Sequence, residues 1–317
     1  MKPFLQLALL SPDIVLGGQA VMEGVMMKGK NHAVVSVRKD DGSIARKTIA
    51  CRSRPKIAKI PILRGAVNLF SVLVLGVKAL NWSAEEAMHE EKEEKSSIIL
   101  WLTLAASLIL SIALFVFLPY LLTTLIPGLS EKESPISFNI VDGAIKLGIL
   151  VFYLYMISRL KDIQRLFEFH GAEHKAVHCY EKKLDLTIEN TAPFTTLHPR
   201  CGTSFILFVV LVSIGVFSFI PWLLGLIIDT GSLGAILTKA IYFITRVSLL
   251  PLVAGVSFEV LRISAKHKDR HFFKMVVAPG LWLQCITTKE PDGKQLEISL
   301  DALKQVLALE GTGESVL

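Results

Sequence analysis

The chain has 317 residues, of which 52% are hydrophobic, and its formal net charge at neutral pH is +6. A mean hydropathy of +0.53 excludes an ordinary soluble protein and indicates a polytopic membrane protein. Loops that contact anionic membrane lipids account for the positive charge, and no pattern of interleaved aromatic and basic residues argues for nucleic acid as a partner.

The N-terminal segment, residues 1–60, contains a predicted β-hairpin on the cytosolic side. The run 33–38 favours a strand, the Asp-Asp-Gly sequence at 40–42 indicates a turn, and 43–50 can return as the partner strand. The glycines of 17–24 lack the spacing of a phosphate loop or a dinucleotide loop. We therefore interpret them as positions of close backbone packing.

Residues 61–97 are interpreted as an interfacial or re-entrant helix followed by a charged linker. The stretch 61–82 is apolar, but Arg64 and Lys78 interrupt it and make it marginal as a membrane span. Trp82 suits the headgroup level, where aromatic rings concentrate. If this stretch crossed the membrane, the N-terminus would lie outside, against the distribution of basic residues.

Four longer apolar segments each reach the roughly 20 residues that a helix needs to cross the hydrocarbon core. They predict transmembrane helices 1–2 within residues 98–158 and transmembrane helices 3–4 within residues 205–258. Asp142 and Lys146 are four residues apart and can pair on one helix face, whereas Arg246 lies mid-span and needs an inward-facing partner. The approximate bounds of the four segments are 98–126, 138–158, 205–228 and 233–258.

Lys and Arg are concentrated before the first span, in the central loop at 159–204 and in the tail at 259–317, whereas the other two loops offer only Lys132 and Lys239. The positive-inside rule therefore predicts a multi-pass protein of the cell membrane with both termini in the cytosol. The expected fold is a polytopic α-helical membrane protein with about four transmembrane helices. A small α+β cytosolic domain is expected to form from the N-terminal, central-loop and C-terminal segments.

The C-terminal segment is predicted to contain a second hairpin and a closing helix. Residues 286–288 and 295–298 flank a Pro-Asp-Gly turn at 291–293, and the helix follows at 300–309. Because an isolated two-stranded hairpin is marginally stable, we expect the cytosolic segments to pack together.

The central loop carries the sequence H-G-A-E-H at residues 170–174. Residues 161–182 have the spacing of an amphipathic helix, and residues four apart share a face, so His170 and His174 can bind one metal ion. The same order occurs in inverted zinc metallopeptidases, where the Glu activates metal-bound water, so Glu173 is a candidate general base. The alternative is two packed histidines that hydrogen-bond to their neighbours, with Glu173 as their partner.

A second cluster, H-P-R-C-G-T at residues 198–203, precedes the third span. His198 or Cys201 could complete the metal site, since imidazole and thiolate are good zinc ligands and the first cluster lacks a third one. Arg200 can bind a phosphate or a carboxylate, and Glu23 could also reach a metal site. The alternative is a turn at the membrane surface that contains a buried cysteine.

Three runs of the chain resemble the bacterial YqhQ-like membrane proteins: G-G-Q-A-V-M-E-G-V-M-M at 17–27, F-H-G-A-E-H-K at 169–175 and H-P-R-C-G-T-S-F at 198–205. The resemblance covers roughly residues 14–310. That family is described as a domain of unknown function and as predicted metal-dependent enzymes, so the resemblance implies a metal but no reaction. It implies that these residues belong to the family pattern: Glu23, His170, Glu173, His174, Lys175, His198, Arg200 and Cys201.

Two functions of different classes fit these residues. The first is a metal-dependent hydrolase at the cytosolic membrane face, with zinc as the expected divalent metal and a peptide or lipid substrate. In it Glu173 takes a proton from metal-bound water, and Arg200 or Lys175 stabilises developing negative charge. Its metal ligands would come from His170, His174, His198, Cys201 and Glu23. The second is a non-enzymatic membrane scaffold, assembly factor or transporter with a structural metal or histidine cluster, and the sequence sets no oligomeric state.

Overall fold

A four-stranded antiparallel sheet forms the N-terminal part of the protein. The computed structural model describes residues 16–51, 60–87, 97–199, 201–228, 234–266 and 271–311. The strands pair in chain order and are β1 (Gly17–Val21), β2 (Gly24–Lys28), β3 (His32–Arg38) and β4 (Ile44–Ala50). The β3–β4 pair confirms the predicted hairpin. The glycine-rich run before it, which was not predicted to be extended, supplies β1 and β2.

Helices make up most of the remaining described chain. In order they are α1 (Leu63–Ala87), α2 (Ser97–Ile112), α3 (Leu118–Thr124), α4 (Pro135–Ile157), α5 (Lys161–Glu181), α6 (Ile188–Thr191), α7 (Gly202–Ser218), α8 (Ile220–Gly225), α9 (Ala235–Lys266), α10 (His271–Thr287) and α11 (Gly293–Leu309). A π-helical stretch, Ala113–Phe117, joins α2 to α3 just before Pro119, so the two form one helical rod.

Five helical stretches within the described residues are long and apolar enough to cross a membrane. They are Leu63–Ala87, Trp101–Thr124, Pro135–Ile157, Phe205–Gly225 and Ala235–Ile263. The last four coincide with the four predicted spans. The first is α1, an unbroken helix of 25 residues that covers most of the stretch 61–82, which was predicted to be an interfacial or re-entrant helix. Arg64 does not interrupt α1 because it pairs with Glu259 of α9. The predicted charged linker falls mainly on residues 88–96, outside the described residues.

The sheet is covered by helices on both faces. Side chains alternate along a strand, so Val25 and Val34 pack on one face with α5 and α11. Met26 and Val35 pack on the other face, against Leu75 and the rest of the C-terminal half of α1. The N-terminal, central and C-terminal segments therefore share a hydrophobic core, as expected for one small domain.

The C-terminal segment has two helices in place of the hairpin predicted at 286–298, and that prediction is wrong. Helix α10 continues to Thr287, and α11 begins at Gly293. Asp292 accepts a hydrogen bond from the N–H of Gln295 at 2.8 Å, and the Gln295 side chain accepts one from the N–H of Asp292, also at 2.8 Å. This capping box begins a helix where Pro-Asp-Gly had indicated a turn.

The charged residues of the apolar helices pair with one another, and the pair of Asp142 and Lys146 was predicted from their spacing. Lys146 donates to Asp142 at 3.1 Å along α4. Arg246 of α9, which is 1% exposed, donates to Asp142 at 3.1 Å and to Asn139 at 2.8 Å. Its guanidinium also donates to Glu131 at 2.9 Å. Because an unpaired charge between apolar helices is costly, this network fixes α9 against α4 and the loop before α4.

Glu310 ties the end of α11 to the turn between β2 and β3. Its carboxylate accepts hydrogen bonds from the N–H groups of Asn31 at 2.6 Å and His32 at 2.8 Å. Burial by itself raises the pKa of Glu310, but these donors outweigh burial and hold the pKa below its ordinary value. The ionised carboxylate therefore contributes to holding α11 on the sheet.

Candidate metal centre

Helix α5 is the platform of the candidate site, and it confirms the helix predicted at 161–182. All residues from 171 to 177 are buried, because the sheet and α11 pack on one side while loops contact the other. Lys175, a predicted charge stabiliser, is only 2% exposed. Its ammonium donates to the carbonyl of Ala192 at 2.7 Å and pairs with Glu290. Glu290 thus already neutralises the charge of Lys175.

Gly171 allows the chain that leaves α10 to lie directly on α5. A Cβ at this position would fall well inside van der Waals contact with the backbone carbonyl of Lys289. The close approach brings the carbonyl of Thr287 to 2.8 Å from Nδ1 of His170. The glycine inside the H-x-x-E-H sequence is therefore what allows α10 to orient the first histidine.

Both histidines of this sequence are oriented by backbone carbonyls. Nδ1 of His170 contacts the carbonyl of Thr287, and Nδ1 of His174 contacts the carbonyl of Thr196. A carbonyl can only accept a hydrogen bond, so in each ring Nδ1 carries the proton. This tautomer leaves Nε2 as the nitrogen that can bind a metal, which is the arrangement that second-shell partners impose on metal-binding histidines.

Cys201 joins the two histidines from the loop that precedes α7. Its Sγ lies 3.2 Å from Nε2 of His170, and ligand atoms of His170, His174 and Cys201 all lie within 4.8 Å of one another. Nε2 of His174 is buried and has no hydrogen-bond partner among the described residues. Two nitrogens and one sulfur fit zinc or another borderline-soft divalent ion, and three ligands leave a fourth position open.

Glu173 lies at the edge of this group and is 6% exposed. Its Oε2 is 3.5 Å from Nε2 of His174. Strand β1 passes over it at Gly18, where a Cβ would overlap the Glu173 side chain. The carboxylate is therefore held beside the unpaired imidazole nitrogen, in reach of whatever that nitrogen binds.

His198 lies in a neighbouring group and not with the first three donors. Ligand atoms of His178, Glu181 and His198 lie within 4.8 Å of one another. The rings form a continuous row in the order His170, His174, His198, His178, with centroid separations of 4.4, 5.6 and 4.6 Å. Burial lowers the pKa of His178 and favours its neutral form.

The second group contains two residues, His178 and Glu181, that the sequence analysis did not select. Their spacing repeats the H-x-x-E order of His170 and Glu173 eight residues further along α5. That repeat was the available sequence signal. His198 completes the group only through folding of the loop after α6, which spacing along the sequence does not reveal.

Two other predicted residues stand apart from both groups. Glu23, in the turn between β1 and β2, directs both carboxylate oxygens to Arg165, which raises the pKa of that guanidinium. The structure therefore gives Glu23 an ion pair and does not bring it to the histidines. Arg200 lies outside the described residues.

Both groups of donors lie inside the part of the chain that matches a known protein family. Residues 60–309 match the family described as "Protein of unknown function (DUF1385)". The chain is 38% identical to the uncharacterized protein YqhQ of Bacillus subtilis (strain 168) over 317 residues, covering 94% of each chain. No solved structure matches the chain. These similarities agree with the resemblance of the three sequence runs and supply no reaction.

Proposed function

Because the chain belongs to the DUF1385 family of proteins of unknown function, we propose a function from its own geometry: a membrane-embedded, metal-dependent hydrolase. His170, His174 and Cys201 hold the metal. The observation that carries the proposal is a pair of imidazoles whose Nδ1 atoms contact backbone carbonyls, with Nε2 of His170 3.2 Å from the thiol of Cys201 and a donor atom of His174 within 4.8 Å of both. A hydrogen-bonded structural pair needs no such common orientation, whereas a metal does.

In the proposed reaction, Glu173 acts as the general base. A zinc-type ion held by His170, His174 and Cys201 would supply a water whose pKa is lowered to about 7. The position of Glu173 beside Nε2 of His174 suits its carboxylate to accept a proton from a molecule bound there. Lys175 is paired with Glu290, so we assign it to holding α5 in place and not to charge stabilisation. The substrate class proposed from the membrane setting is a peptide or a lipid.

Contacts between distant segments support a definite membrane arrangement. The sheet packs on both α5 and α11, so these three parts lie on the same side of any membrane. An even number of crossings must then separate residue 50 from residue 161, and residue 181 from residue 293. This requirement follows from connectivity alone.

In the described part of the chain, three apolar helical stretches lie between residues 50 and 161. Because the number of crossings must be even, one of the three does not cross. Helix α1 is the exception, because Leu75, Ala79 and Ala87 in its C-terminal half are buried against the sheet. Between residues 181 and 293, α7 and α9 supply two crossings. The proposed arrangement therefore has four spans, with the sheet and the metal centre on the cytosolic side that the positive-inside rule indicates.

Metal content and turnover of the purified full-length protein test the proposal. We expect His174→Ala to lose the metal of this group, and Glu173→Gln to keep it but to lose hydrolysis, because an amide cannot accept the proton. Activity would be measured in proteoliposomes against panels of fluorogenic peptides and lipid esters. Glu189→Gln, an exposed carboxylate on α6, is the matched control and should leave both metal and turnover unchanged.

A structural metal site is the second candidate, favoured by burial. Glu173 and His174 are 6% and 2% exposed, and a catalytic metal needs access for substrate. A groove of about 440 Å³ lies elsewhere, lined by residues such as Arg46, Glu189 and Asp301. If His174→Ala unfolds the protein while Glu173→Gln equals wild type in every assay, the hydrolase is refuted and the scaffold reading stands. Absence of metal from wild type together with a wild-type-like His174→Ala refutes both.

A further inference from the structure

His178, Glu181 and His198 form a second group of possible metal ligands, and none of them belongs to the first group. His178 and Glu181 are three residues apart near the end of α5, so their side chains lie on adjacent positions of one face. Nε2 of His198 lies 3.2 Å from Oε1 of Glu181. Ligand atoms of all three residues fall within 4.8 Å of one another. The combination of two imidazoles and one carboxylate is a frequent donor set for divalent ions.

The loop that carries His198 is held firmly in place. The N–H of His198 donates to the side-chain oxygen of Gln284 at 2.8 Å, and the Gln284 amide donates back to the carbonyl of His198 at 2.9 Å. Both side chains are buried, with His198 4% exposed. Helix α10 therefore fixes the position of His198 by two hydrogen bonds, which is the preorganisation that a binding site requires.

The ring of His178 is also oriented before any ligand binds. Its Nε2 lies 2.9 Å from the carbonyl of Leu197, and since the carbonyl accepts, Nε2 carries the proton. The ring stacks on Phe194 with centroids 5.9 Å apart. Nδ1 then remains as the unprotonated nitrogen that can ligate.

We propose that His178, Glu181 and His198 bind a second divalent cation, next to the one proposed at His170, His174 and Cys201. The proposal rests on its own donors and stands whether or not the protein is a hydrolase. The hydrogen bond between His198 and Glu181, together with the contact of His178 with the carbonyl of Leu197, brings the three donors together before an ion binds.

The charges of the surrounding residues are compatible with two adjacent ions. The ring of His174, in the first group, and the ring of His198, in the second, have centroids 5.6 Å apart. Two dications bound in these neighbouring groups would therefore repel each other. Glu173, Glu181 and a thiolate at Cys201 supply three negative charges beside them. With neutral imidazoles completing both sets, two dications and these three negative charges leave the doubly loaded centre with a net charge of about +1.

Metal stoichiometry of the purified full-length protein, loaded with Zn²⁺ or Co²⁺ and freed of excess ion, tests this proposal. We expect two ions per wild-type chain and one ion in His178→Ala and in Glu181→Gln. Both variants should keep the thiolate-to-cobalt charge-transfer band of the first group, whereas Cys201→Ser should lose that band and retain the second ion. Glu189→Gln is the control and should bind two ions.

The outcomes separate the second site from the first. One ion per wild-type chain, lost with Cys201→Ser and unaffected by His178→Ala, overturns the second site and leaves the first in place. Two ions in Glu181→Gln and His178→Ala also overturn it. One ion lost with Glu181→Gln but not with Cys201→Ser supports the second site and refutes the first. Glu181 has a side chain 29% exposed, so its variant remains informative even if His178→Ala fails to fold.

Discussion

Replacing Arg246 with Met should strongly destabilise the helical core. The guanidinium is held by hydrogen bonds of 2.8, 2.9 and 3.1 Å and lies 4.7 Å from the ring centroid of Tyr120. Methionine fills much of the space but leaves the buried carboxylate of Glu131 without a cation. Removing one partner of a buried ion pair typically costs about 3–5 kcal/mol. For a protein of this size that corresponds to roughly 6–20 °C in Tm.

A second substitution distinguishes lost charge balance from lost packing. After Arg246→Met, Lys146 still pairs with Asp142 at 3.1 Å, so Glu131 is the carboxylate left without a cation. Adding Glu131→Gln should therefore reverse at least half of the decrease in Tm that Arg246→Met causes. Thermal unfolding in detergent micelles measures both Tm values. A single variant within about 2 °C of wild type, or a double variant less stable than the single, would refute the charge-balance argument.

Three further predictions concern packing, pH and topology. Gly171→Ala should lower stability by about 1–3 kcal/mol and reduce metal content, because its Cβ meets the carbonyl of Lys289, and unchanged melting and metal content would contradict the packing argument. Glu310→Gln should cost about 1–2 kcal/mol at neutral pH. Because the pKa of this carboxyl is depressed in the fold, wild type should lose that advantage as pH falls below about 4.3 and through the folded value. Chemical unfolding of both proteins at pH 7 and pH 3 measures this, and a stability difference that is as large at pH 3 as at pH 7 would contradict it. Reporter fusions after Ser134 and Leu186 should read outside and inside, respectively, and an outside reading at Leu186 would overturn the four-span arrangement.

Elements whose residue pattern lies within one short segment of the chain could be predicted from the sequence. The hairpin at 33–50 has a strand–turn–strand sequence, and α5 has a helical period, so both were recoverable. The mid-span charge of Arg246 also predicted that it has a partner, although not which residues, because an unpaired charge between apolar helices is costly. By contrast, 291–293 has the sequence of a turn but begins a helix, since the deciding contact is the side chain of Gln295.

The candidate site was only partly predictable, because its donors meet through tertiary contacts. Spacing along one helix was enough to associate His170 with His174. Cys201 and His198 lie three residues apart, and sequence distance gave no means of assigning them to different groups. Glu23 was an open candidate because Arg165, its ion-pair partner, is 142 residues away.

The face of the sheet beneath α11 cannot be fully covered until α11 has been synthesised. β2 ends at Lys28, whereas α11 begins at Gly293. At about 5–20 residues per second, roughly 10–50 seconds of translation separate the two. Val25 and Val34 are without their final cover throughout that interval, while the apolar helices are being made. Synthesis of α11, and not completion of the last apolar helix, is therefore the event that lets Val25 and Val34 complete their burial.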